Sequence, residues 1–274
     1  MNSSEPFDLH GKTILITGGS GVLGSVMASG LAHAGARVAV LGRREEPARA
    51  VAATIRAAGG EAIGVAADVL DRTALERANE IITATLGSVD ILINGAGGNQ
   101  PQATTGPDRP FFDLEIAAIR QVFDANVTGA IVCSQVFGRV MAERRQGCII
   151  NVASMAALRP LTRVVTYSTA KAALTNFTQW LAVHMAQEYS PSIRVNAIAP
   201  GFFLTEQNRY LLMDSQSGAW TARGSTIVKH TPMGRLGEPE DLIGTVIWLA
   251  SPASAFVTGT VIPVDGGFAA FSGV

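Results

Sequence analysis

Tyr167 and Lys171 stand at i and i+4 in the stretch Tyr-Ser-Thr-Ala-Lys, with Ser154 upstream of the pair. Side chains at this spacing share one face of a helix. An ammonium held beside a phenol favours the phenolate, drawing a tyrosine from its ordinary value of about 10 toward working pH. A tyrosine tuned in this way becomes a general acid or base. Ser154 follows the apolar run Cys148-Ile149-Ile150-Asn151-Val152, which reads as a strand ending in a turn. A hydroxyl there could hold a carbonyl or alcohol oxygen beside the phenol. Alone, a tyrosine and a lysine so spaced are more often an ordinary helix surface, so the surrounding elements have to decide.

Those elements alternate. Strand signals fall at Thr13–Thr17, Arg37–Leu41, Ala62–Ala66, Asp90–Ile93, Cys148–Val152, Arg194–Ile198 and Val261–Val264. Each is short, apolar and rich in β-branched residues, as strands covered on both faces tend to be. Helical stretches lie between them at Leu23–Ala34, Glu45–Ala58, Arg72–Leu86, Leu114–Arg145, Val164–Tyr189 and Pro239–Ser251. The alternation predicts an α/β fold, a doubly wound parallel sheet of Rossmann type with about seven strands and helices on both faces. Residues 1–274 read as a single domain. Gly98–Pro110 reads as a loop, and Phe202–His230 as a long insertion of a kind more often functional than idle.

Composition narrows the function classes. With 274 residues and 47% hydrophobic content the chain can bury a sizeable core. A formal net charge of −1 argues against a nucleic-acid partner. The first residues lack a basic-then-apolar leader, and the apolar runs are strand-sized, so no membrane association is expected. Two cysteines are too few for a disulfide framework, and the four scattered histidines offer no metal-ligand spacing. A soluble, cytoplasmic protein without a metal is expected.

In such sheets ligands lie beyond the carboxyl ends of the strands. The first strand runs into Thr17-Gly18-Gly19-Ser20-Gly21-Val22-Leu23-Gly24. Glycines let a backbone approach a pyrophosphate, and the next helix supplies N–H donors and a favourable dipole. Gly18, Ser20, Gly21, Leu23 and Gly24 are therefore candidates for dinucleotide binding. At the end of the second strand, an acidic residue would hold ribose hydroxyls and repel a 2′-phosphate. Leu41-Gly42-Arg43-Arg44 stands there instead. Gly42 leaves room, and Arg43 or Arg44 could fork onto the phosphate, so NADP(H) is preferred, with NAD(H) possible.

Over nearly its whole length the chain resembles the short-chain dehydrogenase/reductase family. Besides the glycine loop, Asp68-Val69 follows the third strand, where the family contacts adenine. Asn94-Gly95-Ala96-Gly97 is similar to its Asn-Asn-Ala-Gly segment, and Asn126 occupies the place of its active-site asparagine. Asn126, Ser154, Tyr167 and Lys171 then make up the family's tetrad. Pro200-Gly201, with Phe203 and Thr205, matches the segment lining the nicotinamide. The resemblance thus implies cofactor contacts from Asp68, Val69, Asn94, Ala96, Gly97, Tyr167, Lys171, Pro200, Gly201, Phe203 and Thr205. Val22 stands where the family usually has glycine. Gly21 stands where NADP-dependent members often carry a basic residue, which leaves the NADP expectation resting on Gly42 and Arg43.

The resemblance also implies a mechanism. Tyr167 exchanges the proton while hydride passes to or from the nicotinamide, and Ser154 steadies the substrate oxygen. Lys171 lowers the tyrosine pKa and holds the nicotinamide ribose, while Asn126 supports a water linking Lys171 to solvent. Gly97-Gly98-Asn99-Gln100-Pro101, Phe202–Arg209 and the terminus Phe268–Val274 look like the D-mannonate oxidoreductase (fructuronate reductase) branch. Asn99, Gln100, Gln207 and Asn208 could meet sugar hydroxyls, and Arg159, Arg163 or Arg209 a carboxylate. A gluconate 5-dehydrogenase-like or other keto-sugar reductase is the nearest alternative, then a β-ketoacyl reductase. A non-catalytic cofactor-binding regulator is more remote. Residues 202–230 are expected to form a substrate lid. By resemblance, the long helices pair across a two-fold axis, giving a homodimer or homotetramer.

Overall fold

Continuous runs of Ile, Leu and Val in the central strands demand cover on both faces, and the computed structural model supplies it. The structure describes residues 5–205, 209–215 and 217–273. The strands are β1 (Thr13–Thr17), β2 (Arg37–Gly42), β3 (Glu61–Ala66), β4 (Ile91–Asn94), β5 (Gly147–Val152), β6 (Ile193–Pro200) and β7 (Val261–Val264). They form one parallel seven-stranded sheet in the order β3-β2-β1-β4-β5-β6-β7. The order reverses between β1 and β4, which opens a crevice at their carboxyl ends.

Side chains alternate across each strand, so the sheet feeds two cores. On one face Ile14, Ile16, Val38 and Val40 meet Met27 and Leu31 of α1 (Val22–His33). Ala52 and Ile55 of α2 (Glu45–Ala57) and Leu249 of α9 (Ile243–Ala250) complete this layer. On the other face Leu15, Leu41, Leu92 and Ile149 meet α3 (Arg72–Leu86), α5 (Gly129–Arg144) and α6 (Val165–His184) through Ile82, Phe137 and Leu181. Asp71 stops the chain from fraying at the start of α3 by accepting from Ala74 N at 3.0 Å.

Two long helices differ from their expected form. The stretch expected at Leu114–Arg145 begins as α4 (Ile116–Phe123), passes through a π-turn at Asp124–Thr128 and continues as α5. The second π-turn, Met185–Tyr189, ends α6. The combined run Ile116–Arg144 is long and apolar enough to cross a membrane by length and composition, which the sequence reading did not register. Arg120, Gln121 and Asp124 break its apolar residues into short groups, and in the fold Cys133, Phe137 and Met141 bury one face against the sheet. The last expected helix opens with a 3₁₀ turn at Pro239–Leu242 before α9.

Candidate active site

The crevice is built first from backbone. Thr17, last residue of β1, accepts through Oγ1 from Gly95 N and Ala96 N at 3.2 Å each, fixing the turn that leaves β4. Gly18 has φ +65°, and a methyl on it would lie 2.8 Å from the Ala96 backbone, so only glycine fits. The amino end of α1 has Gly21 as its cap and no side-chain cap hydrogen bond. Its first-turn N–H groups are therefore available to an anion. Gly24 packs on the Gly18 carbonyl, and Leu23 packs against the core. Ser20 lies beside Gly42, whose added methyl would meet Ser20 Oγ at 2.8 Å. Arg43 and Arg44 are exposed just beyond β2. These residues fit a dinucleotide: an uncapped helix end, a cradle that side chains would fill, and two cations at its rim.

The remaining expected cofactor contacts divide. Asp68 is exposed, its carboxylate accepting from Leu70 N at 3.0 Å, while Val69 is buried against Gly129. Ala96 is half-buried beside the crevice. Asn94 is a correction. In register it lies between Thr17 of β1 and Asn151 of β5, only 2% exposed, and donates through Nδ2 to Asn151 Oδ1 at 2.8 Å and Ser134 Oγ at 3.2 Å. Its side chain belongs to the sheet interior and not to the crevice. Phe203 is another correction: its ring packs on Gly237 within the core, 6% exposed. Pro200 ends β6, and Gly201 N donates to Val264 O at 2.9 Å while packing on Asp265. Thr205 is half-buried, its carbonyl accepting from Arg209 N at 2.9 Å.

Gly97 is where Asn126 and Lys171, two of the tetrad candidates, converge. A methyl there would lie 2.5 Å from Asn126 Oδ1 and 3.3 Å from Lys171 Nζ. Asn126 sits in the π-turn and is fully buried. Its amide donates to Gly98 O at 2.6 Å and Val122 O at 2.8 Å, and its Oδ1 accepts from Gly98 N at 3.2 Å. The side chain is thus committed to clamping the β4 loop.

Ser154 caps the turn Met155–Ala157, accepting from Ala156 N at 3.2 Å, and its hydroxyl lies near the phenol of half-buried Tyr167. Lys171, 4% exposed, donates to Val152 O at 2.7 Å, with its Nζ 5.7 Å from the Tyr167 ring centre. Burial pushes the Tyr167 phenol up, and the nearby Ser154 hydroxyl only partly offsets this. Burial brings the Lys171 ammonium down to about 8. Desolvation is the largest influence on the phenol in this geometry. One of the three N–H donors of Lys171 goes to Val152 O, and the others remain for the crevice beside Gly97. The arrangement can hold a substrate oxygen between a hydroxyl and a protonated phenol, with a cation behind.

The expected substrate residues are more dispersed. Asn99 is exposed and donates to Thr104 Oγ1 at 2.9 Å, and Gln100 is half-buried beside it. Arg159 donates through Nε to Ala269 O at 3.0 Å, tying the loop after Ser154 to the carboxyl-terminal segment. Arg163 is exposed with φ +72°. Arg209 opens α7 (Arg209–Leu212) and is exposed. Gln207 and Asn208 lie outside the described residues. Beyond α7, a bridge pairs Met213 with Trp220, and α8 (Ala222–His230) follows. Leu212, Ile227 and Leu236 form a small separate core there, with Phe202 and Phe268 packed on it. Sequence reasoning missed Asn151, Thr178 and Asp265. The first was legible as a polar residue inside an apolar strand. Asp265 folds the terminus back by accepting from Gly267 N at 2.9 Å and Ala269 N at 2.8 Å.

Residues 12–215 match the family described as short chain dehydrogenase. UxuB, an uncharacterized oxidoreductase of Bacillus subtilis (strain 168), is 53% identical over 276 residues, covering 97% of this chain and 98% of that protein. A solved structure from Haemophilus influenza, provisionally assigned as a D-mannonate oxidoreductase and holding NAD, is 44% identical with a TM-score of 0.92, covering 100% of both chains. A gluconate 5-dehydrogenase from Burkholderia cenocepacia, in complex with NADP and tartrate, is 32% identical with a TM-score of 0.88, covering 98% of this chain and 100% of that one.

Proposed function

The chain belongs to the short-chain dehydrogenase family, and from that premise we propose that it interconverts a secondary alcohol and a ketone on a sugar acid, D-mannonate and D-fructuronate first among the candidates. One observation carries the reading: Lys171 lies beside Gly97, with Tyr167 one turn before it on α6 and Ser154 near the phenol, in a crevice whose uncapped helix end suits a pyrophosphate. The sugar-acid assignment draws support from the similarity to a D-mannonate oxidoreductase and a gluconate 5-dehydrogenase. The amides of Asn99 and Gln100 suit a hydroxylated substrate better than an acyl chain.

A bound nicotinamide dinucleotide supplies the hydride donor or acceptor. Ser154 orients the substrate oxygen and stabilises charge developing on it. Tyr167, its phenol pushed up by burial, is set to give a proton to a ketone oxygen in reduction and to take it back in oxidation. Lys171 keeps a positive charge behind the phenol and a donor beside Gly97 for a ribose hydroxyl. Asn126 holds the loop carrying Gly97 and Gly98 in place.

NADP(H) is the preferred cofactor, with NAD(H) accepted. Arg43, and not an acidic residue, directly follows β2, and Arg43 and Arg44 are exposed where a 2′-phosphate would lie. One guanidinium–phosphate pair is worth a preference of about tenfold or more. A panel of keto-uronates, aldonates and polyols against both cofactors tests the whole reading. Turnover of D-fructuronate with NADPH at least severalfold above NADH is expected. A gluconate-type substrate winning would move the enzyme to the neighbouring activity, and an NADH preference would overturn the cofactor choice.

The segment 202–230 acts as a lid over the substrate. Leu212 and Ile227 pack on Leu236, and Phe202 at the base of the segment packs on Phe268 at 5.2 Å between ring centres. Cleavage within 209–221 by a protease should slow severalfold when substrate and dinucleotide are both present. Unchanged cleavage would count against gating.

A further inference from the structure

Beneath the crevice, a chain of buried side chains joins four elements. Thr178 of α6 donates to Leu174 O at 2.8 Å and accepts from Asn151 Nδ2 at 2.8 Å. Asn151 of β5 accepts in turn from Asn94 Nδ2 at 2.8 Å, and Asn94 of β4 reaches Ser134 of α5 at 3.2 Å. Asn151 and Thr178 are 0% exposed, Asn94 2% and Ser134 7%. Each element leads to one part of the candidate site: β4 to Gly97, β5 to Ser154, the α4–α5 run to Asn126, and α6 to Tyr167 and Lys171.

An all-apolar filling would suit this layer, since Leu92, Ile149, Phe137 and Leu181 already surround it. Apolar contact is non-directional, so it holds α6 on the sheet without fixing how far the helix slides or turns. Hydrogen bonds in a dry interior are directional and fix both. Thr178 lies about two turns beyond Lys171 on α6, and Asn151 lies just before Ser154 on β5. The Asn151–Thr178 bond therefore spans the two elements whose side chains must meet at a substrate oxygen.

The geometry points to Thr178, acting through Asn151, as a positioning residue that sets the Tyr167–Lys171 helix against the Ser154 strand. The inference rests on the proposed hydride-transfer site, and it reaches residues remote from any ligand. Misplacement of about 1 Å at such a distance can lower a rate by about a hundredfold, so a partial slip should lower it by about tenfold.

The test compares Thr178→Val, Thr178→Cys and Thr178→Ser in the full chain. Thr178→Val removes the hydroxyl at nearly constant volume. Thr178→Cys keeps a weak hydrogen-bonding group should the valine variant fail to fold, and Thr178→Ser keeps the hydroxyl. With D-fructuronate and NADPH, kcat is expected to fall by about tenfold for valine and about threefold for cysteine, with NADPH Kd within about twofold, while serine restores kcat. A second readout needs no substrate. Ultraviolet difference titration of the unsubstituted protein against Tyr167→Phe isolates Tyr167 among the three tyrosines. That titration should move upward in Thr178→Val and Thr178→Cys, as the Ser154 hydroxyl shifts away from the phenol, and return with serine. Unmoved kcat and titration in the valine or cysteine variant would overturn the positioning role, as would a serine variant no better than valine. Absence of turnover in the unsubstituted enzyme would count against the proposed reaction alone, and the titration would then decide the inference.

Discussion

Turnover by the Tyr167→Phe protein is expected to fall by about 10²–10⁴-fold, the range a positioned acid or base supplies. The ring stays in place, because its half-buried packing on α6 does not depend on the hydroxyl. What disappears is the hydroxyl that carries the proton and faces Ser154. Dinucleotide affinity should change by less than about twofold, since the glycine cradle, the uncapped end of α1 and the Lys171 ammonium are untouched. Stopped-flow reduction and equilibrium NADPH binding read the two quantities separately. Retention of more than about a tenth of the rate would remove Tyr167 from the proton transfer. A loss shared equally between rate and dinucleotide affinity would instead mean that the substitution disturbs the crevice as a whole.

The parts of this site that were legible in the sequence are those decided locally. Thr13–Thr17 and Val261–Val264 can be read to the residue, because strands in a covered sheet need unbroken apolar runs. Gly18 and Gly97 are legible for a related reason: the first needs a positive φ, and both lack room for a Cβ. Tyr167 and Lys171 share a helix face as their spacing requires. Where the lysine sends its proton donor is another matter. Val152 O lies on a different element, and no spacing along α6 announces it.

The side-chain placement of Asn94 and the loop contact of Arg159 both depend on other elements. A residue at a strand end faces either the crevice or the layer beneath, and parity alone leaves the choice to its neighbours. Register with Thr17 and Asn151 puts Asn94 inside, where amide and hydroxyl partners wait on two other elements. Arg159 looked available to a carboxylate because its loop follows Ser154. The carboxyl-terminal segment, folded back by Asp265, offers its backbone first. The π-turn at Asp124–Thr128 left no trace in composition either, since one extra residue in a helical turn changes no residue type.

Lys171 carries the second large prediction, and its signature differs from that of the tyrosine. Lys171→Met should lower turnover by about 10²–10⁴-fold, like Tyr167→Phe, and should weaken dinucleotide binding as well. The dinucleotide effect arises because the ammonium is the donor beside Gly97. Stability should move the other way from intuition. Burial holds the folded-state value of Lys171 near 8 against an ordinary 10.5. Between those values the unfolded chain binds more protons than the folded one, so this group makes stability rise with pH across that window. Below the window the penalty for burying the charge is fully present, on the order of 3 kcal/mol. Methionine removes that penalty, but leaves Val152 O without its donor, a loss of about 1–3 kcal/mol. At pH 7 the two nearly cancel, and the variant should match the unsubstituted protein or slightly exceed it. At pH 10 the unsubstituted protein should be the more stable, because only it gains through the window. Denaturant unfolding of both proteins from pH 7 to 10 measures the difference directly. A constant offset across that range would mean that the folded-state lysine titrates at its ordinary value, and that its ammonium is solvated instead of held dry behind Tyr167.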